Sequence, residues 1–484
     1  MILAHAGDQL FTVYVDHHDT NCLAALWKLV ERIEELHFST GLGQLAPFLS
    51  SLGPAPNLRV LHLRPELTTG NEDPISLISL PAIFSGCLTS LRDLTLTKTI
   101  IWPTGLFKDL TSFECGALEQ YPISPIHVMD VLRDSPSIEF VRLTGCCGPS
   151  KGIKLPTVPL SSLKKCTLIG QGTTSLIRFM TVPASALVFL SKSFISVGTI
   201  FPKFDNLSAA PGLHVLDKVS AVSFSISDHA VQLQANNARG GLFESKEHKL
   251  DGVSRDPARF IRFLRSLFEC GRTCPGFRTA KEFTLDVERG RIWEQQEATC
   301  FALDVMAFIS NLSDVEAVKL RGVPPLEFSS ILEYLCGAPE LELSCPNLKR
   351  LHIESTPLRS PRSLLVELGK LLSERKGAGA PFRSVAVKVK CEMLIPDTDH
   401  CAFLSSWEGL VGGSVRLEYE RTEVKKLPRC RRRNWDEWDS DEEDDGDDGD
   451  EGEETGAGDP DDSCVGWGCW PEKWPKTIGE MGGQ

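Results

Sequence analysis

One short frame recurs through this chain and limits what it can fold into. Nine times an apolar residue is followed by another three positions on and a third two positions after that, as L-x-x-L-x-L. The copies are Ile33-Leu36-Phe38, Leu58-Leu61-Leu63, Leu91-Leu94-Leu96, Leu110-Phe113-Cys115, Ile138-Val141-Leu143, Leu163-Cys166-Leu168, Ala280-Phe283-Leu285, Val315-Val318-Leu320 and Leu348-Leu351-Ile353. Most neighbouring copies start roughly 20 to 35 residues apart, a spacing that overlaps the leucine-rich-repeat period and extends past it. Turn residues precede several, as in Ala55-Pro56-Asn57, Ser135-Pro136-Ser137 and Cys345-Pro346-Asn347. One such unit cannot bury its apolar side alone, so the copies are expected to stack. The later Asn/Cys position of the repeat is poorly kept. Cys146 fits it, whereas Glu66 and Gln171 do not, so the array is expected to be irregular.

The fullest copy runs from Cys345 to Val389. Leu348, Leu351 and Ile353 read as a strand behind a turn. Ser360 is placed to cap a helix with Pro361 at its first position. Leu364, Leu365, Leu368, Leu371 and Leu372 then recur at helical spacing. Arg375 and Lys376 sit where the helix dipole favours cations, and Gly377 supplies the stop. Val385, Val387 and Val389 alternate with polar residues, as in a half-buried strand. Strand, helix and strand in succession imply a right-handed crossover between parallel strands.

Elsewhere LFTVYV, ending in Asp16-His17-His18-Asp19, reads as a strand, and residues 21–33 read as a helix. Leu45–Leu52 and Ile75–Phe84 read as short helical connectors. Further helices are expected at Pro125–Arg133, Ala258–Cys270, Glu297–Leu312 and Phe328–Cys336, and a last strand at Val415–Tyr419. Residues 170–255 are least regular. FISVGTIF, VSAVSFSIS and HAVQLQA look like strands, with turn chemistry at Asn236-Asn237 and Gly240-Gly241. This stretch is expected to be a β-rich insertion or a set of degenerate repeats.

Charge marks the far end. The 484 residues carry a net charge of −14. Asp436 to Asp462 holds seventeen acidic residues and no Lys or Arg. Removing those seventeen charges leaves the rest of the chain near +3. An acidic, Gly-rich run repels itself and cannot build a core. The expected organisation is therefore a repeat domain over 1–427 and a basic-then-acidic disordered tail over 428–484. The expected fold is α/β: an irregular leucine-rich-repeat solenoid of parallel strands with helices on the convex side. No run reaches the roughly 18 apolar residues of a membrane helix, and MILAHAGDQL lacks the pattern of a secretory signal. Sixteen cysteines, mostly within apolar segments, read as free thiols of a reducing compartment, cytoplasmic or nuclear.

The order of these elements resembles the F-box proteins with irregular leucine-rich repeats of mushroom-forming fungi. AGDQLFTVYVD resembles the segment just after their F-box, and LVERIEELHF the helix and strand that follow. CPNLKRLHI and LLVELGKLLSERKGAGAPFRSVAVKV resemble their C-terminal repeats. The likeness covers roughly residues 3–420 and rests on element order. It implies a ubiquitin-ligase substrate receptor, whose F-box docks a Skp-type adaptor. No LP-x-E-hydrophobic helix precedes Ala6, so adaptor binding is expected only if an F-box is encoded upstream. The resemblance carries over no residue-level site.

Motifs for chemistry are few. GQGTTS, Gly170 to Ser175, follows a strand as a dinucleotide loop would. It lacks the third glycine and the downstream acid, so it reads as a solvent turn. Asp16-His17-His18-Asp19 offers metal-ligand types, but adjacent loop residues seldom converge on one ion. Cys270 and Cys274 have no second pair at zinc spacing, and read as packing thiols. Cys464 and Cys469 lie in the tail. No G-x-S-x-G, Walker loop or H-E-x-x-H occurs. No cofactor or catalysis is expected.

Lys425, Lys426, Arg429, Arg431, Arg432 and Arg433 form a basic cluster suited to nuclear import or to pairing with the adjacent acids. The acid run argues against a nucleic-acid partner. Ser440, followed by acids, suits an acidophilic kinase, and its phosphate would deepen the negative field. Two functions follow. One is a repeat scaffold that holds a protein partner on its strand face. The alternative is an acidic-tailed repeat protein that binds basic nuclear proteins such as histones.

Overall fold

The structure is a computed structural model. It describes residues 9–16, 28–39, 49–64, 78–80, 82–97, 100–117, 122–148, 155–193, 212–227, 230–248, 275–288, 295–323, 325–336, 345–355, 358, 361–391 and 397–421. The chain divides into Met1–Val424 and Lys425–Gln484; every described residue belongs to the first unit.

Among the described residues sixteen strands form one sheet. They are β1 (Phe11–Asp16), β2 (Ile33–Ser39), β3 (Val60–Leu63), β4 (Asp93–Thr97), β5 (Ser112–Gly116), β6 (Phe140–Thr144), β7 (Lys165–Ile169) and β8 (Leu187–Ser193). Then come β9 (Val219–Ile226), β10 (Ala230–Asn237), β11 (Leu242–His248), β12 (Glu282–Val287), β13 (Ala317–Arg321), β14 (Arg350–Glu354), β15 (Ser384–Cys391) and β16 (Ser414–Arg421). From β1 to β8, and again from β12 to β16, each strand lies parallel to the one before it. The architecture is mixed α/β with a large, mostly parallel sheet.

All nine frame copies lie in this sheet, and in register. The middle frame residues form one column, from Leu36 through Leu61, Leu94, Phe113, Val141 and Cys166 to Val188. It continues through Phe243, Ala235, Val222, Phe283, Val318 and Leu351 to Val385, and every member is buried. The last frame residues form a second column, from Val15 and Phe38 to Val387 and Leu417, also buried throughout. Period-two alternation sends both columns to one side of the sheet. Each side chain there removes its apolar surface from water only because the next strand carries another at the same height.

The turn before most frame strands has a common cause; Leu110 is an exception, its N–H bonding Ser135 Oγ at 3.1 Å. The N–H of the first frame residue bonds the carbonyl three residues back: Leu58 to Ala55 at 3.2 Å, Leu91 to Leu88 at 3.2 Å, Leu163 to Leu160 at 3.1 Å, Val315 to Leu312 at 3.2 Å and Leu348 to Cys345 at 3.2 Å. Ala55, Leu88, Leu160, Leu312 and Cys345 are themselves buried. The repeating unit is thus one apolar position longer than L-x-x-L-x-L, and that position is where the chain turns into the sheet.

Helices cover the apolar side. They are α1 (Pro125–Arg133), a four-residue turn α2 (Gln171–Thr174), α3 (Gln295–Ile309), α4 (Pro325–Cys336), α5 (Arg362–Gly377) and α6 (Asp397–Glu408). Ser124 caps α1, its hydroxyl accepting from Ile126 N–H at 3.4 Å. Phe308 of α3 packs 5.0 Å from Phe224 and 5.5 Å from Phe283 of the sheet. The strand at Val415–Tyr419 is found, as β16. The helix expected at 258–270 and the strand FISVGTIF lie outside the described residues.

Details of α5 differ from the sequence expectation. It starts at Arg362 with Pro361 in the capping position, and no side chain caps it. Gly377 is its last residue rather than its stop. The stop is Gly379, at φ +75°, with Gly379 N–H bonded to Lys376 O at 3.0 Å and Ala380 N–H to Arg375 O at 2.9 Å. Those two bonds are the left-handed termination that glycine makes cheaply. Arg375 is no surface cation. It is fully buried, donates to Leu335 O at 3.2 Å, Cys345 O at 3.0 Å and Leu348 O at 3.2 Å, and lies 4.8 Å over the Phe382 ring. Its guanidinium ties α4, α5 and the turn before β14 into one body.

The irregular middle is where the sheet changes direction. The strand order is β8-β11-β10-β9-β12. β10 runs antiparallel to both neighbours, whereas β8–β11 and β9–β12 are parallel. A three-stranded meander has been inserted without breaking either column. Ser245 is the one polar member of the second column, between Leu190 and Leu233. Asn237 pins the insert. Its amide donates to Ala184 O at 2.6 Å and Val215 O at 2.9 Å, and its oxygen accepts from Arg239 N–H and Gly241 N–H at 2.8 and 3.0 Å. All four amide valences are used in a buried site.

Two stability predictions follow from the columns and the pin. Leu351→Ala should cost roughly 2–5 kcal/mol by cavity formation, read in urea unfolding; a loss under about 1 kcal/mol would contradict the register. Asn237→Ala should cost at least about 2 kcal/mol, because two buried carbonyls and two N–H groups lose their partner. Amide exchange in that variant should quicken first in β9–β11; uniform behaviour across the sheet would count against the pin.

Candidate functional site

The other side of the sheet faces away from the helices, and its side chains, the buried Thr95 apart, are half-buried or exposed. Because the strands are in register, this face is a grid. One row runs Tyr14, His37, His62, Thr95, Glu114, Arg142, Thr167, Phe189, Glu244, Gln234, Ser223, Thr284, Lys319, His352, Ala386 and Arg416. Along it the chemistry falls into three zones.

The first zone, on β1–β3, is aromatic and imidazole. Tyr14 is 74% exposed and stacks on His37, centroids 4.5 Å apart and planes 14° apart. His62 meets His37 edge-on at 4.5 Å. His37 Nε2 lies 3.5 Å from Glu35, and His62 Nε2 lies 3.7 Å from Asp93. Burial, then the neighbouring His62, hold the His37 pKa below its usual 6.5. A cavity of ≈ 430 Å³ opens here, lined by Tyr14, Val15, His37, Phe38, Ser39, His62 and Arg64.

The middle of the face carries a small apolar patch set among polar side chains, including Glu114, Arg142, Glu244 and Gln234. Phe140, Lys165, Leu187 and Leu242 are neighbours across β6, β7, β8 and β11. Leu187 is 36% exposed, Phe140 and Phe189 are half-buried, and the Lys165 ammonium sits 5.5 Å over the Phe189 ring. Burial, then Arg142, push the Lys165 pKa down.

The third zone, on β12–β16, is ionic with alternating sign. Asp286, Arg321, Glu354 and Lys388 succeed one another strand by strand. Arg321 reaches Asp286 at 3.7 Å and Glu354 at 3.6 Å, Lys390 hydrogen-bonds Glu354, and Lys388 pairs with Glu420 at 2.8 Å. A second row repeats the device, with Arg350 on Glu282 at 2.7 Å and Glu316 between Lys281 and Lys349. The Lys390 hydrogen bond is the largest cause holding the Glu354 pKa below 4.5.

The motifs singled out in the sequence do not converge on this grid. Gly170 to Ser175 is not a solvent turn. Gln171–Thr174 form a helical turn in which Thr173 is fully buried, accepting from Cys146 N–H at 2.9 Å. A Cβ on Gly172 would stand 2.4 Å from Cys146 O and from Gly148 N. The glycines there allow backbone to pass backbone. Asp16 ends β1, while His17, His18 and Asp19 lie outside the described residues. So do Cys270, Cys274, Cys464, Cys469, the basic cluster Lys425, Lys426, Arg429, Arg431, Arg432 and Arg433, and Ser440. Among the described residues no group of three or more His, Cys, Asp or Glu is placed to hold a metal ion, and no helix is long and apolar enough to cross a membrane. Cys115, Cys146, Cys166 and Cys345 are buried thiols whose burial pushes the pKa up, to about 12 for Cys146 and Cys166 and to about 11 for Cys345. They pack and do not react.

The row of solvent-side residues was missed in the sequence. The signal was present, one residue after each middle frame position, but it needed the register to become a surface. No protein-family model matches the chain, and no curated protein matches its sequence.

The ionic zone has a pH signature. A carboxylate with a depressed pKa stabilises the fold at neutral pH and loses that contribution as pH falls below its unfolded value and through the folded one. Glu354→Gln should therefore flatten the loss of stability between about pH 5 and about pH 3, read as urea midpoints across pH. An unchanged acid limb would mean the Glu354–Lys390 pair is not formed in solution.

Proposed function

We propose that the described residues belong to an irregular leucine-rich-repeat solenoid that holds a protein partner on the solvent face of its sheet. The observation that supports this most is the grid. A side chain placed by a backbone ladder is pre-positioned, so a partner meets it with little ordering cost. A central patch of Phe140, Leu187 and Phe189 among polar side chains, with imidazole and ionic zones to either side, suits a recognition surface in which a few anchors carry affinity and charge sets specificity. The reading is one of holding rather than transforming. The resemblance to F-box receptors would extend it to ubiquitination substrates only if an F-box, to dock a Skp-type adaptor, is encoded upstream.

The acid run at 436–462 supports a second reading, in which the tail captures basic proteins such as histones. One experiment separates the two. Partners are covalently trapped by proximity labelling around the full chain, and the chosen partner is then titrated against variants. Leu187→Ser with Phe189→Ala should weaken binding at least about tenfold, and deletion of 434–484 should leave it intact. Salt-sensitive binding that vanishes with the tail and ignores the face substitutions would favour the acidic-tail reading and sink the first.

A further inference from the structure

The cleft on β1–β3 has its own chemistry. Among the described residues its lining contains one permanent cation, Arg64, and two imidazoles, His37 and His62, but no carboxylate. Arg64 is exposed and has no ion-pair partner among the described residues. We propose that this cleft binds the phosphoryl group of a phosphate monoester carried by the protein partner, with Arg64 and the imidazolium form of His37 as counter-charge and His62 beside them. The inference deepens the scaffold reading and rests on it, since the cleft lies on the face said to hold the partner.

Geometry favours a phosphoryl group over a carboxylate. Arg64 supplies a planar fork of donors from the residue just after β3, and the two imidazoles stand on adjacent strands, 4.5 Å apart. Donors spread over separate strands suit a tetrahedral group with three terminal oxygens better than a planar one with two. The cleft, at ≈ 430 Å³, admits a side chain bearing that group. Tyr14, stacked on His37, offers a phenol and an aromatic wall.

The His37 imidazole makes the site sensitive to pH. Each of the two rings has its Nε2 near a carboxylate, Glu35 on β2 or Asp93 on β4. A neutral ring that donates from Nε2 presents Nδ1 as an acceptor, which cannot hold an anion; an imidazolium donates from both nitrogens. The charged groups facing His37 act in opposite senses. His62 and Arg64 disfavour its protonation, and Glu35 favours it. A bound phosphoryl dianion would reverse the balance. Binding should therefore tighten as pH falls from about 8 toward about 6, where a phosphate monoester still keeps much of its second charge.

The test uses the full chain and phenyl phosphate as the probe. Calorimetric titration should show saturable 1:1 binding, several-fold tighter at about pH 6 than at about pH 8. Arg64→Gln should weaken it about tenfold or more. The double variant His37→Asn, His62→Asn should lose the pH trend, and Arg416→Gln, at the far end of the same face, should change nothing. Should a variant melt early, the intact chain still decides: phenyl phosphate must raise the pKa of His37, read from histidine carbon resonances, because the coupling is reciprocal. Absence of saturable binding, equal affinity for benzoate, a pH trend that survives in the double variant, or an unmoved His37 would each overturn the assignment. None of these outcomes touches the Leu187 and Phe189 test, so the cleft can fail while the scaffold reading stands.

Discussion

Everything in this fold depends on strands hydrogen-bonded side by side with their apolar residues at equal heights. A short parallel strand has no stability of its own. Its N–H and C=O groups need a neighbour on each edge, and its apolar side chains need a neighbour above and below. The ladder meets both needs at once. At the start of many strands one carbonyl accepts two N–H groups from the next strand: Arg59 O takes those of Arg92 and Asp93, Arg92 O those of Thr111 and Ser112, and Glu316 O those of Lys349 and Arg350. A one-residue slip would break those bonds and turn both apolar columns toward water. Register and burial therefore enforce each other along the sheet.

The same constraint explains where polar groups are admitted to the interior. A sheet can take an insert only if the insert keeps the columns and satisfies the backbone it displaces. The β9–β11 meander keeps them with Val222, Phe224, Ala235, Leu233 and Phe243, and Asn237 takes up four backbone groups at its base. Arg375 does the equivalent on the helix side, where three carbonyls would otherwise face apolar side chains. Close backbone passage is met by glycine: a Cβ on Gly322, at φ +62°, would stand 1.9 Å from Val287 O.

The solvent face is organised by the ladder but not stabilised much by what it displays. Exposed ion pairs such as Arg350–Glu282 contribute about 0–1 kcal/mol each. Their alternating sign matters more as a pattern. It keeps neighbouring strands mutually attractive. A face built this way can change its side chains without risk to the core, because the two sets of residues occupy opposite sides of every strand.

The nine frames, the strand and helix order of Cys345–Val389, and the parallel sense of most strands could be read from the sequence, because a repeated apolar spacing has few ways to bury itself. Leu320 and Leu351 are buried as that spacing requires. The chain by itself also determined the charge asymmetry, since composition needs no coordinates. Tertiary structure alone decided the reversal at β10, the burial of Arg375, and the displacement of the α5 stop from Gly377 to Gly379. Each depends on which carbonyl lies across from which residue, and local sequence does not encode that. It also decided the candidate site. Tyr14, His37, His62 and Arg64 are scattered through fifty-one positions of sequence and become one cleft only when three strands fall into register.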